Sequence, residues 1–193
     1  MLIKSQFNQN KLSWKNSFLE GFSQDNQGEA LPWMSYGAIE FLQKTLKAND
    51  EIFEFGCGAS TIFFAKRVKQ VVALETSWIW FNIIKEKLKK AKINNVELIL
   101  MKDGLTNINY ENFAKNYNQK FDIIIVDSLK RFLCAKNSIH ALKPEGKIIL
   151  DDSERKNYQK IFDFFAANNF IREDFTGIAP GQLKIKSTSV FKA

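Results

Sequence analysis

A glycine-rich turn is the first segment of the sequence whose residue types could bind a ligand. It lies in the run Glu54–Thr61 (EFGCGAST), which follows a predicted strand and opens a predicted helix. Gly56 allows a tight turn, and Gly58 allows a ligand to approach the backbone closely. Ser60 or Thr61 is suited to cap the helix, whose first backbone N–H groups favour a carboxylate or another anion. The third glycine of a dinucleotide fingerprint is absent, which argues against NAD, and the turn alone equally fits a plain strand–turn–helix connection.

Acidic residues follow the next predicted strands. Glu75 ends the second strand, 21 residues after Glu54, and its two oxygens could accept both hydroxyls of a ribose. Asp103 follows the third strand, where it could accept a hydrogen bond from an adenine amino group. The acids after the fourth and fifth strands are Asp127, Asp151 and Asp152. Because open α/β sheets bind ligands at the carboxyl ends of their strands, these acids predict one shared site.

The elements that would position these residues alternate between strand and helix. The predicted strands of the first part are short and apolar: Glu51–Phe55, Gln70–Glu75, Val96–Met101, Phe121–Val126 and Lys147–Leu150. Apolar stripes predict helices between and after them: Trp80, Ile84, Leu88 and Ala91; Phe132, Ala135, Ile139 and Leu142; Tyr158, Ile161, Phe162 and Phe165. This alternation is typical of a parallel sheet with helices on both faces.

The end of the chain departs from that alternation. Phe170–Phe175 and Lys184–Phe191 both have strand character, and the short loop between them cannot hold a crossover helix. The prediction is therefore a three-layer α/β sandwich, with a mostly parallel seven-stranded sheet and an antiparallel C-terminal hairpin. We expect a single domain over 1–193, in which 1–35 is an N-terminal cap segment and 36–193 is the Rossmann-like core.

Together these motifs resemble the class I S-adenosylmethionine-dependent methyltransferases, in particular small stand-alone bacterial ones. Glu54–Ser60 is similar to their first motif and Phe121–Asp127 to their fourth-strand motif, and Leu31–Tyr36 is similar to a Pro-Trp segment that often lies over the cofactor. The resemblance implies S-adenosyl-L-methionine as cofactor and methyl transfer to oxygen of a small molecule or sugar. The cofactor-binding residues that it implies are Trp33, Tyr36, Glu54, Gly56, Gly58, Ser60, Thr61, Glu75, Asp103, Gly104 and Asp127. For Trp33 and Tyr36, packing between cap and sheet is an equal alternative.

The residues after the fourth and fifth strands give two hypotheses for catalysis. The Asn/Asp-Pro-Pro-Tyr/Phe motif of amino-directed nucleic-acid methyltransferases is absent, since residues 127–130 are DSLK. By resemblance to metal-dependent O-methyltransferases of the catechol type, Asp127, Asp151 and Asp152 would hold Mg²⁺. Without metal, Asp127 or Asp152 would be a general base. A third alternative is that one aspartate only caps the following helix, predicted over Ser153–Ala167.

Composition restricts the partners and the compartment. The chain has 193 residues and a net charge of +7, but only four of its 28 basic residues are arginine and the lysines are spread throughout, so a nucleic-acid partner is disfavoured. No apolar run is long enough for membrane insertion, and two cysteines predict no disulfide scaffold and a reducing cytoplasm. Cys57 and Cys134 are interpreted as structural, and His140 as a surface or capping residue. The oligomeric state is left open.

Two rival functions use the same fold. One is aminopropyl transfer of the spermidine synthase kind, which also has Asp-Ser after the fourth strand, although the glycine-rich loop of that family is absent. The other is a non-catalytic module that binds the cofactor or RNA.

Overall fold

Seven strands form one sheet in the computed structural model of the chain, which describes residues 2–101 and 109–193. The strands are β1 (Glu51–Phe55), β2 (Gln70–Glu75), β3 (Val96–Leu100), β4 (Phe121–Val126), β5 (Leu142–Leu150), β6 (Ile171–Gly177) and β7 (Lys186–Lys192). Their order is β3-β2-β1-β4-β5-β7-β6; the pairs among β1–β5 are parallel, and β7 runs antiparallel to both β5 and β6. The predicted fold class is confirmed.

Helices cover both faces of this sheet. They are α1 (Leu2–Glu20), α2 (Tyr36–Thr45), α3 (Ala59–Ala65), α4 (Trp78–Lys90), α5 (Arg131–Ser138) and α6 (Gln159–Ala167), with short 3₁₀ helices at Tyr110–Asn116, Ile139–Ala141 and Lys156–Tyr158. Side chains alternate between the faces along each strand. Phe53 therefore packs with residues of α5 and α6, whereas Ile52 packs with residues of α2 and α3. None of the helices within the described ranges combines the length and the apolar character needed to cross a bilayer.

The N-terminal segment packs on the core through polar contacts. The indole Nε1 of Trp14 donates to the carbonyl oxygen of Gln182 at 2.8 Å, in the loop between β6 and β7. The hydroxyls of Ser13 and Tyr36 lie 2.9 Å apart and join α1 to α2. The boundary between cap and core at residue 35 stays a prediction.

The helix predicted through Leu142 ends earlier. α5 stops at Ser138, and Leu142 begins β5 with its side chain buried. Pro144 explains the difference, because a proline disfavours helical conformation in the residue before it and cannot donate to the helix.

The helix predicted from Ser153 begins only at Gln159. The backbone of Asp152 is in the left-handed region (φ 54°), and the N–H of Ser153 donates to Ser187 O at 2.8 Å. This bond ties the segment to the strand β7, so it cannot turn into a helix there. The observed ends of β3, β6 and β7 differ from the predicted ends by one or two residues.

Candidate cofactor and methyl-transfer site

A cavity of about 470 Å³ opens at the carboxyl ends of β1, β2 and β4. Two hydrogen bonds extend the sheet beyond the strand ends there: Gly56 N–H donates to Leu74 O at 2.8 Å, and Asp127 N–H donates to Phe55 O at 3.2 Å. Residues used below that line the cavity are Trp33, Glu54, Gly58, Glu75, Trp80 and Asp127. Of the acids predicted to share one site, Glu54, Glu75 and Asp127 line this cavity, at the edge where open α/β sheets bind ligands.

Gly56 and Gly58 suit the turn for different physical reasons. Gly56 has φ 103°, and a Cβ there would lie 2.8 Å from the carbonyl oxygen of Asp127, so only glycine fits. Gly58 has extended backbone, and a Cβ would meet only Ser60 Oγ, at 3.6 Å. The space beside Gly58 is thus left open to the cavity rather than filled by the protein.

Glu54 lies buried beneath the turn and is held by two hydroxyls. Thr61 Oγ1 donates to Glu54 Oε2 at 2.6 Å, and Ser60 Oγ donates to Oε1. Burial raises the pKa of Glu54 to about 8, an effect that the two hydroxyls reduce and the charges of Asp127 and Glu75 increase. The N-cap of α3 is Gly58, so neither Ser60 nor Thr61 occupies that position. Thr61 nevertheless takes part in the cap, because its Oγ1 accepts the Gly58 N–H at 3.0 Å.

Glu75 is oriented by three backbone N–H groups. Its Oε1 accepts from Thr76 at 2.8 Å and from Ser77 at 2.7 Å, and its Oε2 accepts from Cys57 at 2.9 Å. A carboxylate has about four acceptor positions, so this arrangement leaves one, on Oε2. The expectation that Glu75 accepts two ribose hydroxyls stays a prediction, and at most one acceptor position is left by these backbone bonds.

Three carboxylates converge at the ends of β4 and β5. Oxygens of Asp127, Asp151 and Asp152 all lie within 4.8 Å of one another. Arg131 bridges two of them, since its guanidinium lies 2.5 Å from Asp127 Oδ1 and 3.1 Å from Asp152 Oδ2. Arg155 also pairs with Asp152 Oδ2.

Lys186 supplies the third cation of this cluster. Its Nζ donates to Asp151 Oδ2 and lies 2.8 Å from Asp152 Oδ1, and its side chain is 2% exposed. The carboxylates raise the pKa of Lys186 although burial lowers it, so the ammonium remains charged.

The donor set does not fit the predicted Mg²⁺ ion. Three acids face three cationic side chains, so the cluster carries no surplus negative charge to bind a divalent cation. Arg131, Arg155 and Lys186 relieve the repulsion among the three acids without a metal ion.

The cluster gives the two candidate bases, Asp127 and Asp152, different environments. Burial raises the pKa of Asp152, but Lys186, Arg131 and Arg155 lower it by more, so it lies well below the usual range. A carboxylate so stabilised is a weak proton acceptor. Asp127 lines the cavity and its side chain is 35% exposed, so it is the better placed of the two.

Comparison with known proteins shows which proteins this chain resembles. No family model matches the chain. A probable cobalt-precorrin-6B C(15)-methyltransferase (decarboxylating) of Methanobrevibacter smithii is 32% identical over 118 residues, which cover 58% of this chain and 59% of that protein. A probable ribosomal RNA small subunit methyltransferase A of Methanosphaera stadtmanae is 33% identical over 72 residues, which cover 36% of this chain and 26% of that protein. The chain therefore spans less than two thirds of either relative.

A solved structure matches over the whole length. The O-methyltransferase from Bacillus cereus in complex with SAH superposes with a TM-score of 0.72 at 19% identity, covering 99% of this chain and 100% of that one. The chain has the class I S-adenosylmethionine-dependent methyltransferase fold. The resemblance drawn from the glycine turn and the acids after the strands is confirmed.

Trp33 and Tyr36, both predicted to bind the cofactor, lie in different environments. Trp33 lines the cavity and its ring meets Trp80 edge-on, with centroids 6.2 Å apart. Tyr36 is not among the described residues that line this cavity, and its buried hydroxyl bonds to Ser13, which fits the packing alternative. Asp103 and Gly104 lie outside the described residues.

Sequence reasoning missed four residues of the candidate site: Trp80, Arg131, Arg155 and Lys186. Two had a local signal, because Arg131 follows Asp127 by four residues and Arg155 follows Asp152 by three. Lys186 had none, since it lies 35 residues from Asp151.

The environments of the cysteines and of the histidine agree with the structural and surface roles predicted for them. Burial raises the pKa of the Cys134 thiol to about 12, and it raises that of Cys57 further, with Glu75 and Glu54 adding to the shift. A thiol in such surroundings is a poor nucleophile. His140 is exposed on the 3₁₀ helix that follows α5.

Proposed function

We propose that this protein transfers a methyl group from S-adenosyl-L-methionine to an oxygen of a small molecule or sugar. The observation that carries the proposal is the cavity itself, where the open backbone at Gly58 meets Glu54, Glu75 and Asp127 in a methyltransferase fold. The Bacillus cereus neighbour, described as an O-methyltransferase, supports oxygen as the acceptor atom.

The residues around the cavity fit this cofactor. When bound, S-adenosyl-L-methionine supplies a methyl group activated by the positive charge of its sulfur. Gly58 leaves room for close approach to the backbone, and Glu75 offers an acceptor to a ribose hydroxyl. Glu54 also lines the cavity, and a positively charged ligand would favour its ionised form. Gly56, Ser60 and Thr61 shape the turn, and Asp103 and Gly104 are proposed for the adenine side.

The chemistry left to the protein is orientation and proton handling. Trp33 and Trp80 line the cavity with an aromatic wall, against which the acceptor, methyl carbon and sulfur would align. Asp127 is the proposed proton acceptor for a hydroxyl, since it is exposed to the cavity while Arg131 orients one of its oxygens. Asp152 acts through Arg131 rather than on the acceptor, and no Mg²⁺ is assigned to this reaction.

RNA is the second candidate acceptor. One relative is described as a ribosomal RNA methyltransferase, and this chain carries a net charge of +7. The small-molecule proposal is preferred because charge alone gives non-specific binding and the lysines of α4 form a solvent-exposed face rather than a rim around the cavity. A cytoplasmic location is proposed from the two free cysteines.

A binding experiment tests the cofactor. Titration calorimetry with S-adenosylmethionine, S-adenosylhomocysteine (SAH) and decarboxylated S-adenosylmethionine should show saturable binding of the first two. A preference for the decarboxylated form would favour aminopropyl transfer, and no binding of any of them would refute the proposal.

A transfer experiment tests the acceptor. Protein with S-adenosylmethionine labelled in the methyl group is incubated with a small-molecule extract and, separately, with ribosomal RNA at low and high salt. Label in the small-molecule fraction, lost in Asp127→Asn but kept in Asp163→Asn, is the expected result. Asp163 is a matched control because it is exposed on α6. Label only in RNA would overturn the acceptor class.

A further inference from the structure

Lys186 is a buried cation that the proposed chemistry does not use directly. It lies at the start of β7 with a side chain 2% exposed. Its Nζ donates to Asp151 and to the carbonyl oxygen of Trp33 at 2.7 Å, and it lies 2.8 Å from Asp152 Oδ1. The three N–H donors of the ammonium therefore have three acceptors.

These three acceptors belong to two different walls of the cavity. One wall is the segment of Trp33, whose side chain lines the cavity and meets Trp80. The other is a chain of ion pairs in which Asp152 holds Arg131, and Arg131 holds Asp127 at the cavity surface. The buried ammonium of Lys186 thus forms hydrogen bonds or ion pairs with both walls of the cavity.

Charge compensation alone does not account for the contact with Trp33. Carboxylates suffice to keep a buried ammonium ionised, yet Nζ also donates to a backbone carbonyl on a segment that lies before α2. A hydrogen bond from a charged donor is stronger than a neutral one, so it restrains that segment.

We propose that Lys186 is a positioning residue, which fixes the Trp33 segment relative to the Asp127–Arg131–Asp152 chain and so sets the affinity of the cavity for its cofactor. This inference rests on the proposed function, because the ligand whose affinity it sets is the adenosyl cofactor.

The test removes the ammonium without leaving an unbalanced charge. Lys186→Met alone leaves the buried carboxylate of Asp151 without its cation, which costs stability. The double variant Lys186→Met with Asp151→Asn keeps the cluster balanced, because Arg131 and Arg155 still face Asp127 and Asp152. The matched control is Lys192→Met with Glu173→Gln, which removes an exposed ion pair between β7 and β6.

Two readouts separate positioning from stability. Calorimetry with SAH should show affinity lowered about tenfold or more in the Lys186 double variant and unchanged in the Lys192 control. In protein labelled with 5-fluorotryptophan, the ¹⁹F resonance of Trp33 should shift or broaden without ligand, while that of Trp14, which bonds to Gln182, stays in place. Wild-type affinity together with an unchanged Trp33 resonance would overturn the proposal.

Two further measurements distinguish failure of the Lys186 proposal from failure of the proposed function. Trp33→Ala removes the indole but retains the ion pairs of Lys186. It therefore tests the Trp33 segment even where the lysine variants are not properly folded. Unchanged SAH affinity in Trp33→Ala would also overturn the proposal. If wild-type protein does not bind SAH, the proposed function fails. The fluorine spectrum of the unliganded variants still decides whether Lys186 positions Trp33.

Discussion

Replacing Gly58 by alanine is the sharpest test of how the turn meets its cofactor. The backbone at Gly58 is extended, a conformation that any residue adopts, and the new Cβ would meet only Ser60 Oγ, at 3.6 Å. That distance is ordinary van der Waals contact. We therefore expect the free energy of unfolding of Gly58→Ala to stay within about 0.5 kcal/mol of wild type, or to rise slightly because alanine restricts the unfolded chain.

Cofactor affinity should fall although stability does not. If the ligand packs against the backbone at Gly58, the added methyl group overlaps it, and an overpacked contact costs roughly 1–3 kcal/mol. That cost corresponds to a loss of SAH affinity of roughly fivefold to more than a hundredfold. Calorimetric titration measures the affinity, and thermal unfolding of the same samples measures the stability.

Two other glycines serve as controls for this variant. Gly37 lies in α2, where a Cβ would make ordinary contacts at 3.6–3.8 Å, so Gly37→Ala should leave SAH affinity unchanged. Gly56→Ala should instead lose stability, because its φ is positive and its Cβ would clash with Asp127 O at 2.8 Å. Wild-type affinity in Gly58→Ala would show that no ligand approaches this backbone, and a large drop in its unfolding temperature would refute the reasoning about space.

Three further predictions concern the acids. Both carboxylate oxygens of Glu75 accept backbone N–H groups, and in Glu75→Gln an NH₂ donor replaces one of them and faces an N–H donor. SAH affinity, measured by calorimetry, should therefore fall at least about tenfold. Because Arg131, Arg155 and Lys186 neutralise the cluster, neither EDTA nor added Mg²⁺ should change the unfolding temperature or SAH affinity. For Glu54, a folded-state pKa raised from 4.5 to about 8 contributes stability that is fully present below pH about 4.5 and lost as pH rises through about 8. Denaturant unfolding should thus show wild type losing at least about 1 kcal/mol relative to Glu54→Gln between pH 5 and 8.

Each of these has a result that contradicts it. Unchanged affinity in Glu75→Gln would remove Glu75 from the cofactor site. Stabilisation by Mg²⁺ that EDTA reverses would restore the metal hypothesis for Asp127, Asp151 and Asp152. A constant difference between wild type and Glu54→Gln across the pH range would mean that Glu54 does not titrate there.

The sequence by itself determined the strand segments and the fold class. Buried runs such as residues 123–126 are apolar on both faces, and this is a local property that needs no knowledge of the partner strand. The positions of Glu54, Gly56, Glu75 and Asp127 at strand ends follow from the same segments, since parallel strands bring their carboxyl ends to one edge. The boundaries at Leu142 and Ser153 were less predictable, because the contact of Ser153 with Ser187 is not local.

Only the tertiary structure decided what neutralises the acidic cluster. In the sequence, Asp127, Asp151 and Asp152 look like a metal site, and Lys186 is one of many lysines. Antiparallel pairing of β5 with β7 sets Leu150 opposite Ser189, which brings Thr188 to Asp151 and Lys186 to both aspartates. The choice between a bound metal and a buried lysine therefore depends on a strand register that joins residues 35 positions apart, and no local spacing carries that information.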